Sequence, residues 1–186
     1  MTLHPGLLRR EVYDIGLIAI HWSYLEHTVE SLIWAILEVK APTGRALTAD
    51  IQMRARMKML RKLIDARHPP MSEVFKNLQT TVQNLEQDRN LIVHGIWGRD
   101  YGSEPSATSL RRNSASPDLV YGEHFPRARM KEIDTNIIST SAYVYTLKGV
   151  IEDAIAASRK KSETPADPHP STPDHSPTEP DAPPKS

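Results

Sequence analysis

The sequence predicts an all-α fold, an up-and-down four-helix bundle with a small β-hairpin-like insert between helices three and four. Apolar residues recur with the helical period in four long segments, and most of the segments that join them are short. About thirty residues before the fourth helix instead contain two short segments that alternate in the manner of strands. These patterns place the bundle domain at residues 1–161, its insert at about 96–125, and a tail at 162–186.

The first helix is predicted from about Pro5, a favourable first-turn residue, to Val39, where the segment 41–44 (Ala-Pro-Thr-Gly) ends it. The second is predicted at roughly 49–67, with Thr48 as its N-cap. Their apolar faces comprise Ile15, Ile18, Trp22, Leu25, Val29, Leu32, Ile33 and Ile36, then Met53, Met57, Leu60 and Ile64.

After a break at 68–70 (His-Pro-Pro), the third helix is predicted at roughly 71–94, with Gly95 as its C-terminal cap. The fourth follows at roughly 126–160. Their inward residues are Met71, Val74, Phe75, Leu78, Val82, Leu85 and Ile92, then Met130, Ile133, Ile137, Val144, Leu147, Ile151 and Ile155. Between these helices, residues 96–101 and 119–124 alternate as strands do, which predicts an antiparallel hairpin or a three-stranded patch.

The tail differs from the rest in composition. Eight of the fifteen prolines lie at or beyond Pro165, and the tail holds no aromatic residue and no aliphatic residue larger than alanine. Such a segment cannot offset the entropy lost on ordering, so we predict that it is disordered. The whole chain has 23 acidic and 23 basic residues, and the tail contains five of the acids and one of the bases. The rest of the chain therefore has 18 acids and 22 bases, a net charge of +4. A modest positive charge is compatible with an anionic partner.

Several chemistries are disfavoured by composition. The absence of cysteine excludes disulfides, thiolate metal sites and a cysteine nucleophile. The eight histidines lack ligand spacing and no glycine-rich phosphate loop is present, so we predict no metal and no cofactor. The longest apolar run, 15–20, is too short to span a bilayer and the start lacks signal-peptide character, which predicts no membrane association and a soluble, cytoplasmic protein.

Two charged residues fall on apolar helix faces. Glu26 projects about 40° from Trp22 on helix one, and Arg89 projects about 20° from Leu78 on helix three. A lone buried charge is costly, so we predict that Glu26 and Arg89 contact each other inside the bundle. Such a pair either fixes helix register and does nothing more, or belongs to a functional site.

The segment around Arg89 favours a functional site. Asn90 and His94 are four residues apart and share a helix face, whereas Arg89 and His94 lie about 140° apart and converge only if the arginine reaches round or the helix loosens. Arginine holds phosphate in a bidentate fork, and histidine transfers protons near neutral pH. This cluster therefore indicates a phosphate-handling site. The alternative is a capping histidine and a surface asparagine.

Arg89-Asn90-x-x-x-His94 resembles the Arg-polar-x(3–5)-His signature of the HEPN superfamily, the higher eukaryotes and prokaryotes nucleotide-binding domains. That family forms four- or five-helix bundles and includes many metal-independent RNA endonucleases, with the motif near the end of the third major helix. The resemblance covers about residues 5–160. The insert before helix four is not general in the family, which leaves the subfamily open.

The resemblance implies cleavage of RNA to 2′,3′-cyclic phosphate products and a role in defence or toxin–antitoxin systems, with an antitoxin or regulatory partner. His94 would act as general base or acid, Arg89 would stabilise charge on the phosphate, Asn90 would orient phosphate or His94, and Glu26 would hold Arg89. It also implies a homodimer in which His94 of each copy lines one shared cleft.

The insert offers a weaker RNA-binding interpretation. Arg99, Arg111 and Arg112, with the ring of Trp97, supply the cations and aromatic surface that bind single-stranded nucleic acid. A small satellite core explains the ring equally well. A second function also remains open for the whole chain, namely a non-catalytic bundle that binds a nucleotide or a protein partner.

Overall fold

The computed structural model describes residues 7–98, 105–110 and 120–163, and this part of the chain is mostly helical with a small antiparallel sheet. The elements in chain order are α1 (Arg9–Leu37), α2 (Ala41–Thr48), α3 (Met53–Arg67), a 3₁₀ turn (Pro69–Met71), α4 (Ser72–His94), β1 (Ile96–Gly98), β2 (Ser106–Leu110), β3 (Val120–His124) and α5 (Arg127–Glu163). In the described ranges, none of these helices is long and apolar enough to cross a membrane.

Helix α1 is central to the packing, because it contacts α2, α3, α4 and α5, with α5 as its most extensive partner. The apolar faces predicted from periodicity form the core, including Trp22, Met57, Phe75 and Ile137. Val74 is an exception, since its side chain is exposed at the start of α4. Helical period alone therefore placed nearly all of the buried apolar side chains.

Helix α2 corrects the prediction for residues 41–48. The segment expected to be a loop is an eight-residue helix with a proline in its first turn, and Thr48 is its last residue rather than the N-cap of the next helix. The Thr48 hydroxyl accepts a hydrogen bond from Trp34 Nε1 at 3.1 Å and donates to the Gly44 carbonyl at 3.0 Å. Packing against the Trp34 ring thus stabilises a helix that local turn propensity disfavours.

We predict that Gly44→Ala destabilises the protein. A Cβ atom at this position would lie 2.4 Å from Trp34 Cγ, so the indole or the whole of α2 would have to move. Overpacking of this kind lowers the free energy of unfolding by about 1–3 kcal/mol, which chemical denaturation would measure. Gly149→Ala is the control, because nothing lies within 4 Å of its added Cβ and removing a mid-helix glycine should stabilise by about 0.5–1 kcal/mol.

The predicted patch between the last two long helices is a three-stranded antiparallel sheet in the order β1-β2-β3, with Ile96 opposite Thr108 and Ser106 opposite His124. Gly95, which joins α4 to β1, is the C-terminal cap of α4 as predicted, with extended geometry (φ −70°, ψ 155°) and its N–H donated to the Leu91 carbonyl. A Cβ there would lie 2.3 Å from the Leu91 carbonyl oxygen. Glycine is therefore required by the close approach of the chain to the last turn of α4.

Two predicted boundaries reach beyond the described residues. The expected start of the first helix at Pro5 lies outside them, and α1 begins at Arg9, where the Glu11 carboxylate accepts a hydrogen bond from the Leu8 amide at 2.7 Å. Helix α5 continues to Glu163, two residues past the predicted end of the domain, and the rest of the predicted tail also lies outside the described residues.

Candidate functional site

A cavity of about 730 Å³ lies beside the last two turns of α4. Helix α1 contributes one wall, the start of α3 another, and β3 reaches its rim. Its lining residues are Trp22, Glu26, Gln52, Met53, Glu86, Gln87, Asp88, Arg89, Asn90, Leu91, His94 and Glu123. All four residues predicted to be catalytic therefore face one cavity.

Arg89 connects Asn90 and His94. Its Nη1 donates to Asn90 Oδ1 at 2.9 Å and lies 3.2 Å from His94 Nε2. A guanidinium can only donate, so His94 Nε2 is the acceptor in this contact. Helix α4 stays helical through His94, which means that the arginine side chain reaches round the helix to make this contact.

The direct contact predicted between Glu26 and Arg89 is replaced by an arrangement around Trp22. Within the described residues, no hydrogen bond or ion pair joins the two side chains. Trp22 Nε1 instead donates to Glu26 Oε1 at 3.1 Å, and the Arg89 guanidinium carbon lies 5.8 Å from the centre of the Trp22 ring. Trp22 precedes Glu26 by one helical turn, so it presents an N–H to the acid and a π face to the base. The prediction of a direct pair was wrong.

A buried ion pair does join two helices, but it uses other residues. Arg56 Nη2 of α3 lies 2.8 Å from Glu30 Oε1 of α1 and donates to the Thr48 carbonyl at 3.2 Å. Both side chains are at least 85% buried. The sequence carried a signal for this pair, because Arg56 projects only about 40° from Leu60 on the apolar face of its helix.

Two carboxylates on the cavity wall are perturbed. Burial raises the pKa of Glu86 above 4.5, and nearby Glu26 raises it further, while Arg54 and Arg89 act in the opposite direction. Burial likewise raises the pKa of Asp88, although Arg129 lowers it by donating to Asp88 Oδ1 at 3.2 Å.

Arg129 ties the sheet to this wall. The same guanidinium lies 2.5 Å from Glu123 of β3 and is stacked 4.5 Å from the centre of the Phe125 ring. Asp88 and Glu123 thus share one arginine from α5 as their ion-pair partner. Glu26 and Glu86 are the lining carboxylates for which the described residues provide no ion pair within 4 Å.

We predict that Glu86→Gln stabilises the protein more at pH 7 than at pH 4. Since the pKa of Glu86 is raised in the folded state, the folded chain binds more protons than the unfolded chain at pH values between the ordinary pKa and the raised one. The free energy of unfolding therefore falls as the pH rises through the pKa of Glu86 in the folded state. The glutamine of the variant does not titrate, so the variant does not lose this stability. Thermal melts at the two pH values would measure it, with exposed Glu73→Gln on the same helix as control. An equal shift in melting temperature at both pH values would contradict the prediction.

Trp97 belongs to the small core beneath the sheet. Its Nε1 donates to the Ile92 carbonyl at 2.9 Å, its ring centre lies 5.9 Å from that of Phe125, and it packs against the main core. These contacts fit the satellite-core interpretation of this ring, and its RNA-binding role stays a prediction. Arg99, Arg111 and Arg112, predicted alongside it, lie outside the described residues.

Among the described residues, no group of three or more His, Asp or Glu side chains is placed to hold a metal ion. Comparison with protein-family models, curated proteins and solved structures gives no match to this chain.

Proposed function

We propose that this protein is a metal-independent RNA endonuclease of the HEPN type, in which α1, α3, α4 and α5 act as the four-helix bundle. The observation that carries the proposal is the 3.2 Å contact between Arg89 and His94 on the wall of a 730 Å³ cavity. It brings a cation that binds phosphate next to a neutral imidazole that accepts a proton, and this combination suits cleavage of a phosphodiester.

The reaction uses the nucleophile that RNA carries. His94 Nε2 takes the proton from the 2′-hydroxyl, the 2′ oxygen bonds to phosphorus, and the bond from phosphorus to the 5′ oxygen breaks. Arg89 leaves His94 to donate its N–H groups to the non-bridging oxygens, where negative charge develops. Asn90, already hydrogen-bonded to Arg89, orients that guanidinium. The products carry a 2′,3′-cyclic phosphate and a 5′-hydroxyl.

Glu26 acts through Trp22 in this scheme. By accepting the indole N–H it fixes the ring that lies against Arg89. Glu26 and Asn90 are thus positioning residues, whereas Arg89 and His94 touch the substrate.

The leaving 5′ oxygen needs a proton. We propose that His94 of the partner subunit, in its protonated imidazolium form, supplies it and becomes neutral while the first His94 becomes protonated, since two copies that meet at the ends of α4 form one shared cleft. Two Arg89 side chains facing each other repel unless an anion lies between them, so such a cleft favours bound phosphate. The cellular role proposed with this activity is that of a cytoplasmic toxin or defence protein held in check by an antitoxin or regulatory protein.

The test is to incubate the full chain in EDTA with a single-stranded oligonucleotide. Cleavage should yield a 2′,3′-cyclic phosphate. It should stop when the nucleotide whose 2′-hydroxyl attacks the phosphate is replaced by a 2′-deoxynucleotide. Cleavage that needs a divalent cation, or that continues on the deoxy-substituted strand, would contradict the proposed chemistry.

A second candidate function is a non-catalytic module that binds a nucleotide or a protein partner. The observation that favours it is the acidic lining, because Glu26, Glu86, Asp88 and Glu123 all border the cavity and repel a polyanion. In this case the full chain would leave RNA intact, and titration calorimetry would detect a nucleoside or a basic protein segment bound in the cavity.

A further inference from the structure

A long apolar surface follows the seam between α1 and α5. On α1, residues Tyr13, Leu17, Ile20 and Tyr24 recur every three or four positions and fall within about 60° of one another. They point almost opposite to Trp22, so this stripe lies on the side of α1 away from the cavity that holds Arg89.

Helix α5 provides a matching stripe. Thr135, Ile138, Ala142 and Tyr145 follow the same spacing and fall within about 80° of one another. Two grooves run between the stripes. The one of about 350 Å³ has Tyr13 in its lining, and the one of about 450 Å³ is lined by Tyr24, Ile138, Ala142 and Tyr145. We call the two stripes and these grooves the α1–α5 face.

The charges that border this face are mostly paired inside the protomer. His21 lines the larger groove and Asp134 lines the smaller one. His21 Nδ1 lies 2.6 Å from Asp134 Oδ1, so this pair lies where the two grooves meet. Arg127 Nε lies 2.7 Å from Asp14 Oδ2 at one end, next to Lys131. A surface with little net charge does not attract RNA, whose binding requires a positively charged groove.

The exposed area fits a protein interface. Tyr13, Ile20, Tyr24, Ile138 and Tyr145 are each 46–65% exposed, which leaves roughly 500 Å² of aromatic and aliphatic surface in water. One side of a standard interface buries about 800 Å², of which a little over half, roughly 450 Å², is non-polar. Tyrosine is also among the residues that dominate binding energy at such interfaces.

We infer that the α1–α5 face packs against the same face of a second copy of this chain. An isologous contact brings each residue near its own copy, and this face can do so without like-charge repulsion because His21, Asp134, Asp14 and Arg127 are already paired. The chain's own tail does not fit the grooves, because residues 164–186 contain no aromatic side chain and no aliphatic one larger than alanine.

This contact is separate from the shared cleft proposed above, since the two surfaces lie on opposite sides of α1. A chain that uses both closes into a tetramer with two kinds of two-fold interface only if the two axes intersect at right angles. A chain that uses only the α1–α5 face forms a dimer whose two cavities stay apart.

The test is the mass of the full chain in sedimentation or light scattering at micromolar concentration. The double variant Tyr24→Lys/Ile138→Lys should have half the mass of the wild type, with unchanged far-ultraviolet circular dichroism, because it places four lysines in one apolar interface. The control Leu47→Lys/Val74→Lys makes the same change at two exposed apolar residues elsewhere and should keep the wild-type mass. The wild-type mass should also persist at 1 M salt, where charges are screened within about 3 Å.

Three results would overturn the inference. One is a wild type that sediments as a single chain, and another is a Tyr24→Lys/Ile138→Lys variant that keeps the wild-type mass. The third is dissociation caused by substitutions at Arg89 or His94 and not by those on the α1–α5 face. The RNA cleavage assay is read separately, so failure of the proposed activity and failure of this interface are distinguishable.

Discussion

His94→Ala should lower the rate of RNA cleavage by about 10²- to 10⁴-fold, the range that loss of a proton-transfer group produces. His94 lies at the end of α4 with an exposed side chain, and its contact is with Arg89 rather than with the core. Truncation should therefore leave folding intact. Initial rates on one oligonucleotide in EDTA measure the loss, and circular dichroism together with sedimentation checks that fold and assembly are retained.

The matched control is His68→Ala. His68 directly follows the last residue of α3, whereas Met53 at the start of that helix lines the cavity. Their separation of fifteen residues corresponds to about 22 Å along a helix. This variant should cleave at the wild-type rate. If His94→Ala and His68→Ala both cleave like the wild type, or if no preparation cleaves RNA, the enzymatic proposal fails and the binding module takes its place.

The sequence predicted the core well because burial follows periodicity. Ile137 and Met57 lie where a period of 3.6 residues places them, and no tertiary information was needed. Helix α2 was missed because Pro42 and Gly44 are read locally as a stop signal, whereas its stability depends on Trp34, which lies in another helix.

Helical geometry also predicted part of the candidate site. The turn geometry of one helix showed that Arg89 could reach His94 only if its side chain extended round α4 or the helix loosened, and the first of these is found. The partner of Glu26 could not be read from the helix wheel, because both Trp22 and Arg89 were within reach and the choice between them is made by side-chain packing. Sequence patterns place residues on faces, but they do not assign hydrogen-bond partners.

Arg56→Met should lower the free energy of unfolding by about 3–5 kcal/mol, the largest stability effect we expect in this protein. The variant leaves the Glu30 carboxylate largely buried, with His27 Nδ1 at 3.9 Å as its remaining ion-pair neighbour among the described residues. It also removes the N–H group that reaches the Thr48 carbonyl. An uncompensated charge in the interior costs far more than the lost attraction.

The size of the effect should come from the stranded charge and not from the pair itself. The double variant Glu30→Leu/Arg56→Met removes both charges and should recover most of the loss, since apolar residues often replace a buried ion pair without penalty. Arg61→Met on the same helix is the control, because its partner Asp65 is half-exposed and the change should be within about 1 kcal/mol. If Arg56→Met and Arg61→Met are equally stable in urea denaturation, or if the double variant is no better than Arg56→Met, the Glu30–Arg56 pair does not have the role that its burial indicates.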